Sequence, residues 1–261
     1  MSDLELTIKD GIAVARLNRP EKKNALSPEM LGALRDGLQQ AQDDPDVRVF
    51  VITGAGDAFC SGGDLGRRAA EGEPTPLDRK NRLQQGTHKT ALAIEAFDKP
   101  LIAAVNGAAA GAGMDMALMC DLRFAARSAR FAESYIRVGL IPGNGGCYFL
   151  PRIVGSAKAL EMLWSGDFVD AEEAQRIGLV NRVFDDDKLM ESTLSFASKL
   201  ASGPPLQQRL IKKLMYQSLH TDLKTSLETV SSHMAVVQST ADYKEAIAAY
   251  KEKRPARFTG R

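Results

Sequence analysis

Apolar positions recur along the chain with two periods, and these divide it into strands and helices. Leu4 to Lys9 and Ile12 to Leu17 read as two short strands, and the Asp10-Gly11 pair between them predicts a tight hairpin. Ser27-Pro28 predicts a helix start, with Ser as the cap and Pro at the first helical position. Met30, Leu31, Leu34 and Leu38 supply the apolar stripe of that helix. Asp43-Asp44-Pro45 stops it, and Val47 to Thr53 (VRVFVIT) is a β-branched run suited to a buried strand. A polar stretch, EGEPTP, precedes a helix predicted from about Leu77 to Phe97. Lys99-Pro100 then leads to a strand at Leu101 to Val105, and Leu122 to Ala126 and the segment around Phe131 predict further short strands. From about Asp187 strand signals stop, and amphipathic helices run on, punctuated by Gly203-Pro204-Pro205, Thr221 and Ser239. Strands alternating with helices, then helices alone, predict an α/β core with an α-helical C-terminal extension.

The stretch from Ala103 to Asp121, AAVNGAAAGAGMDMALMCD, departs from this texture. Leu101 to Cys120 is long and apolar enough to mimic a membrane helix of about twenty residues. Asn106, Asp115 and the glycines at 107, 111 and 113 argue instead for a buried segment of a soluble protein. A helix starting near Gly111 would point its first free N–H groups out of the glycine-rich turn, with positive partial charge. Asp115 lies one turn after Ala112 and shares its face. An anion-stabilising amide beside a proton-transfer group suits oxyanion chemistry. The same residues are equally compatible with tight packing and an Asp placed favourably in a first turn.

Composition narrows the classes. With 44% hydrophobic and 26% charged residues, the 261-residue chain can bury a sizeable core. A net charge of +1 gives no electrostatic case for nucleic acid or an anionic membrane as the main partner. Cys60, Cys120 and Cys147 have no metal-ligand spacing, so no metal is expected, and their odd number fits a reducing compartment. The N-terminal MSDLELTIKDG has no signal or transit character, so a cytoplasmic location is expected. His88, His220 and His233 are expected to be solvated or at interfaces, and Trp164 in the core or an interface.

Two glycine-rich loops follow two strands: GAGDAFCSGGDL after Val47–Thr53, and NGAAAGAG after Leu101–Val105. Neither gives a dinucleotide-binding G-x-G-x-x-G at a first strand–helix junction with its distant acid, and no glycine precedes Lys-Ser/Thr as in a P-loop. Two loops that each free a backbone N–H are what a two-donor oxyanion hole requires.

Five segments in order carry a more specific message: NRPEKKNAL at 18–26, AFCSGGDL at 58–65, the VNGAAAGAGMDMALMCD block, RFAESYIRVGLIPGNGG at 130–146, and a closing DYKEAIAAYKEKRPARFTGR. Through them the chain resembles the crotonase (enoyl-CoA hydratase/isomerase) superfamily over essentially its whole length. The resemblance implies an α/β fold: a crotonase-like spiral of ββα units over residues 1–200, and an α-helical C-terminal trimerisation region over 201–261. It implies a homotrimer or hexamer, an acyl-CoA thioester substrate, and no cofactor beyond the CoA of that substrate. The oxyanion amides map to Gly63 and Ala112, and the CoA contacts to Lys22, Lys23, Ala25, Leu26, Asp64 and Leu65. Asp64 is alternatively a helix N-cap.

The acids depart from the best-known members. Hydratases of this superfamily use two glutamates, which map to Asp115 and to Tyr135, and the second is no carboxylate. Glu133, two residues earlier, faces the same way only if the segment stays extended. Its alternative role is pairing with Arg130 or Arg137, and that of Tyr135 is filling the acyl pocket. Some isomerases and a dehalogenase carry Asp at the position of Gly143, and the adjacent Asn144 reads as a turn residue. The catalytic candidates are therefore Asp115, Glu133 and Tyr135. Hydration of a 2-enoyl-CoA to a 3-hydroxyacyl-CoA stands first among the implied activities. Double-bond isomerisation follows, then hydrolysis or decarboxylation of a specialised acyl-CoA, then non-catalytic acyl-CoA binding.

Overall fold

A computed structural model describes residues 2–64, 66 and 73–261. The hairpin forms at Asp10-Gly11, where both residues take positive φ, and joins β1 (Leu4–Lys9) to β2 (Ile12–Leu17) with Lys9 opposite Ile12. Helix α1 (Pro28–Asp43) begins where Ser27 accepts a hydrogen bond from the Met30 N–H, and it buries Met30, Leu31, Leu34 and Leu38. The helix packs on β1 and β2, and beside β2 runs β3 (Val49–Gly54), whose first five residues are all buried, as parallel-sheet strands covered on both faces must be.

After β3 the chain repeats one device. A strand of the main sheet is followed within a few residues by a three-residue strand of a second sheet: β3 then β4 (Ala58–Cys60), β5 (Leu101–Val105) then β6 (Ala108–Ala110), β7 (Leu122–Ala126) then β8 (Arg130–Ala132). With β9 (Val169–Asp170) and β10 (Arg182–Phe184), the six-stranded sheet has order β1-β2-β3-β5-β7-β10 and the four-stranded sheet β4-β6-β8-β9. The three repeats stack side by side in both sheets, which makes a spiral. Its corners are tight: a Cβ on Gly107 would lie 2.1 Å from the Asp57 carbonyl oxygen, so only glycine fits there. Three-residue strands such as β4 (Ala-Phe-Cys) and β6 (Ala-Ala-Ala) carry no readable period, and both lie inside the glycine-rich loops.

The helix predicted over 77–97 is two. Helix α2 (Pro76–Gln85) and α3 (Thr87–Ala96) meet at Gly86, whose φ of −102° and ψ of −98° no helix continues through. Helix α4 (Ala112–Met119) is buried from Ala112 to Leu118, and a Cβ on its Gly113 would lie 2.1 Å from the Cys60 carbonyl oxygen. At its far end the buried Arg123 guanidinium donates to the carbonyls of Cys120 (2.6 Å) and Leu179 (2.7 Å), satisfying groups that a helix C-terminus leaves open.

Helices α5 (Gly146–Val154), α6 (Ser156–Ser165) and α7 (Ala171–Arg176) follow, then α8 (Leu189–Ala201), which packs against the main sheet. Helix α9 (Pro205–Ser218) lies back on the core. Its Lys212 Nζ reaches Asp121 (2.8 Å) and the Lys99 carbonyl (3.0 Å), and Arg209 pairs with Asp98. Helices α10 (Leu223–Ser239) and α11 (Ala241–Glu252) expose Leu223, Leu227, Met234, Val236, Ile247 and Tyr250. The tail returns to α11, where the buried Asp242 carboxylate accepts from the N–H groups of Thr259 (2.7 Å) and Gly260 (2.8 Å).

Candidate active site

The two glycine-rich loops meet. Gly62, at φ +94°, packs its Cα so close to the second loop that a Cβ would stand 3.2 Å from the Ala112 nitrogen. Leu26 N–H donates to the Gly62 carbonyl (2.7 Å) in a short parallel bridge with Gly63. Residues along an extended segment alternate in direction, so the Gly63 N–H points away from that bridge. Ala112 opens α4, and an N–H at the first helical position has no partner within its helix. Both expected oxyanion donors thus stand on neighbouring walls.

The segment at 19–26 is fastened to the first loop by a residue the sequence reading passed over. Arg19 donates to the Ala25 carbonyl (2.6 Å) and to Asp64 (3.0 Å), and Lys22 Nζ lies 3.4 Å from the same carboxylate. Lys23 instead pairs with Asp57 at the surface (2.9 Å). Lys22, Ala25, Leu26, Gly63 and Asp64 are therefore brought together, with Lys23 at the margin. Leu65, the sixth expected CoA contact, lies outside the described residues.

The acids converge although the segment carrying two of them does not stay extended. After β8 the chain turns into a 3-10 helix over Ser134–Val138, with Glu133 at its entry. Glu133 and Asp115 are both 0% exposed. The Tyr135 hydroxyl donates to Asp115 Oδ2 at 2.5 Å. Asp115 Oδ1 and both Glu133 oxygens have no hydrogen-bond partner among the described residues. The two carboxyls nevertheless face each other across Gly146: a Cβ there would lie 2.6 Å from Asp115 Oδ1 and 2.8 Å from Glu133 Oε1. Glu133 takes neither arginine, since Arg137 pairs with Asp167 and Arg130 stacks on Phe168.

Burial sets the electrostatics. Loss of solvent pushes Asp115 up to about 6, opposed by the Tyr135 hydrogen bond, the nearby Glu133 carboxyl and the N–H groups of Asn144 and Gly146. Those N–H groups face the carboxylate without reaching full hydrogen-bond geometry. Burial, and then the Asp115 charge, push Glu133 up to about 9. Burial and mutual repulsion therefore favour a pair that shares one proton near neutral pH. Burial and the same charge drive the Tyr135 phenol well above its ordinary range, so it stays a donor.

Asn144 is buried beside this pair, and Gly146 stands between the two carboxyls. Among the described residues no cluster of His, Cys, Asp and Glu fits a metal ion, and no helix is long and apolar enough to cross a membrane.

Residues 7–261 match the sequence profile of the enoyl-CoA hydratase/isomerase family. The chain belongs to that family. A crotonyl-CoA hydratase of Syntrophomonas wolfei is 36% identical, over 96% of this chain and 95% of the relative. A 1,2-epoxyphenylacetyl-CoA isomerase of Escherichia coli is 34% identical, over 97% of each chain. Among solved structures, an enoyl-CoA hydratase from Bacillus anthracis superposes with a TM-score of 0.94 at 33% identity, covering 99% of this chain and 100% of its own. This enoyl-CoA hydratase/isomerase family member is thus an enzyme acting on acyl-CoA, built on the spiral described above.

Proposed function

We propose that the protein hydrates a 2-enoyl-CoA to a 3-hydroxyacyl-CoA. The observation that carries this reading is the pair of fully buried carboxyls around Gly146, a helical turn from the Ala112 N–H, whose burial and mutual repulsion favour one shared proton. Hydration needs both forms at once. In this reading Asp115 takes a proton from water as the water oxygen bonds to the β-carbon. The π-electron pair moves through the α-carbon onto the thioester oxygen, held between the Gly63 and Ala112 N–H groups. The enolate then collapses and its α-carbon takes a proton from the acid side of the pair, with Tyr135 steadying the Asp115 charge throughout. Lys22, Lys23, Ala25, Leu26, Asp64 and Leu65 are assigned to the CoA.

The same reading has the enzyme acting as a homotrimer or hexamer in the cytoplasm, without a metal or separate cofactor. Residues 1–200 form the spiral and 201–261 its assembly region. The exposed apolar positions on α10 and α11 support the assembly.

The test is turnover of crotonyl-CoA, followed by loss of the conjugated enoyl-thioester absorbance and identification of the 3-hydroxy product. Asp115→Asn keeps size and polarity but removes the base, and is expected to cost about 10²–10⁴ in kcat. Full activity of that variant on the true substrate refutes the assignment. Double-bond isomerisation is the second reading. It is favoured by Tyr135 standing where the superfamily's second glutamate maps, since a proton shuttle between two carbons needs one carboxylate. Exchange of substrate carbon-bound hydrogen in deuterated water without hydroxyacyl product would select it.

A further inference from the structure

One histidine, expected to be solvated or at an interface, does something more particular. His88 sits in the first turn of α3, and its Nε2 lies 2.8 Å from the Gly143 carbonyl oxygen. A carbonyl accepts only, so Nε2 carries the proton. Gly143 belongs to the irregular stretch between the 3-10 helix and α5, the stretch that brings Asn144 and Gly146 to the acid pair. Leu140 N–H still donates to the Tyr135 carbonyl, and α5 begins at Gly146. Between these points, among the described residues, the His88 bond ties the Gly143 carbonyl to α3, while the Gly143 N–H faces the Tyr135 hydroxyl.

The peptide unit that accepts from His88 is also the one that faces Asp115. In a trans peptide the C=O and the following N–H point in opposite directions. The Gly143 carbonyl points at His88, and the Asn144 N–H of the same unit therefore points inward, at the Asp115 carboxylate. One rigid plane spans the gap between α3 and the base.

We infer that His88 is a positioning residue for proton transfer: by holding the Gly143 carbonyl it aims the Asn144 N–H at Asp115 and fixes the loop that carries Gly146. This rests on the reading of Asp115 as the proton-transfer group. It assigns His88 no contact with substrate. Three other titratable groups bear on the carboxylate, namely Glu133, Tyr135 and the Cys147 thiol; His88 contacts none of them directly, and it reaches Tyr135 only through the Gly143 N–H that faces the phenol.

The experiment compares His88→Ala with His88→Gln, whose amide keeps an N–H donor on a side chain of similar reach. Full kcat and kcat/KM profiles against pH are measured on crotonyl-CoA or the established substrate. Removing the donor is expected to lower kcat about five- to tenfold, the scale of one hydrogen bond, with KM nearly unchanged. It should also move the acidic limb of kcat/KM to higher pH, because an amide that no longer faces Asp115 no longer favours its charged form. His88→Gln should recover most of both effects. A His88→Ala enzyme with the parent's kcat and limb overturns the inference. So does a loss in kcat with an unmoved limb that His88→Gln fails to repair, since a purely structural role predicts that pattern. Asp115→Asn, run beside them, separates the two questions: if it is inert while His88→Ala is normal, only the role of His88 falls, and if it is active, the reading of Asp115 falls.

Discussion

Gly146→Ala adds one methyl at the point where the two carboxyls meet, and nothing else. Gly146 is the first residue of α5 and its backbone lies outside the left-handed region, so alanine is acceptable to the main chain. The whole effect is therefore steric. The new Cβ would stand 2.6 Å from Asp115 Oδ1, 2.8 Å from Glu133 Oε1 and 3.1 Å from Glu133 Cδ, where ordinary contact begins at 3.4 Å. Relief requires Oδ1 to retreat by about 0.8 Å and Oε1 by about 0.6 Å, in a site where Tyr135 pins the other Asp115 oxygen. Overpacking of this kind costs about 1–3 kcal/mol of stability. Misplacing a reacting group by about 1 Å costs on the order of 10² in rate, or about 2.7 kcal/mol in the barrier. The assay is kcat and KM on an enoyl-CoA panel together with a thermal melt. The expected result is a folded enzyme, somewhat less stable, with kcat down about a hundredfold and CoA affinity retained. A folded variant with the parent's kcat would show that the carboxyl pair does not face the reacting carbons.

Glu133→Gln should reveal a buried acid through stability. A carboxyl held above its ordinary value keeps its proton in the folded state while the unfolded chain releases it, so its penalty is absent below pH about 4.5 and grows until pH passes about 9. The melting temperature of Glu133→Gln relative to the parent is therefore expected to rise from pH 5 to pH 9, and a constant difference would contradict the burial argument. Tyr135→Phe removes the donor to Asp115 Oδ2; kcat should fall about tenfold or more, with the acidic limb of its pH profile moved upward, and an unmoved limb would count against this contact. Sedimentation at micromolar concentration is expected to give a trimer or hexamer, and a stable monomer would exclude α10 and α11 as an assembly surface.

Much of the scaffold was legible because its signals are local. Asp10-Gly11, Ser27-Pro28 and the VRVFVIT run each predict an element from their own few residues, and each element is present. What escaped depended on contacts distant in sequence. The break at Gly86 was not legible, because a single glycine costs a helix only about 1 kcal/mol and is often tolerated inside one. Glu133 could not be placed by alternation, since the chain leaves the strand directly after Ala132. It reaches Asp115 by turning. Arg19 and His88 look like ordinary surface residues in sequence, and their partners lie at Asp64 and Gly143, which no spacing rule connects. The site was legible as a set of chemical groups, and the geometry that joins them was not.

Helix α4 carries an oxyanion-donor candidate, Ala112, and the base candidate, Asp115, on one rigid and almost wholly buried rod, clamped at its far end by Arg123. The spacing between those two groups is therefore fixed before any substrate arrives, and it works as a gauge. It suits the constant part of every acyl thioester, the short distance from carbonyl oxygen to the neighbouring carbons, and takes no account of the rest of the acyl chain. Discrimination among chains then falls to walls outside α4, such as the partly exposed stretch from Ser134 to Gly143 beside the acid pair. For redesign this separates the tasks: substitutions on those walls can retune which acyl group fits, while substitutions inside α4 alter the gauge itself.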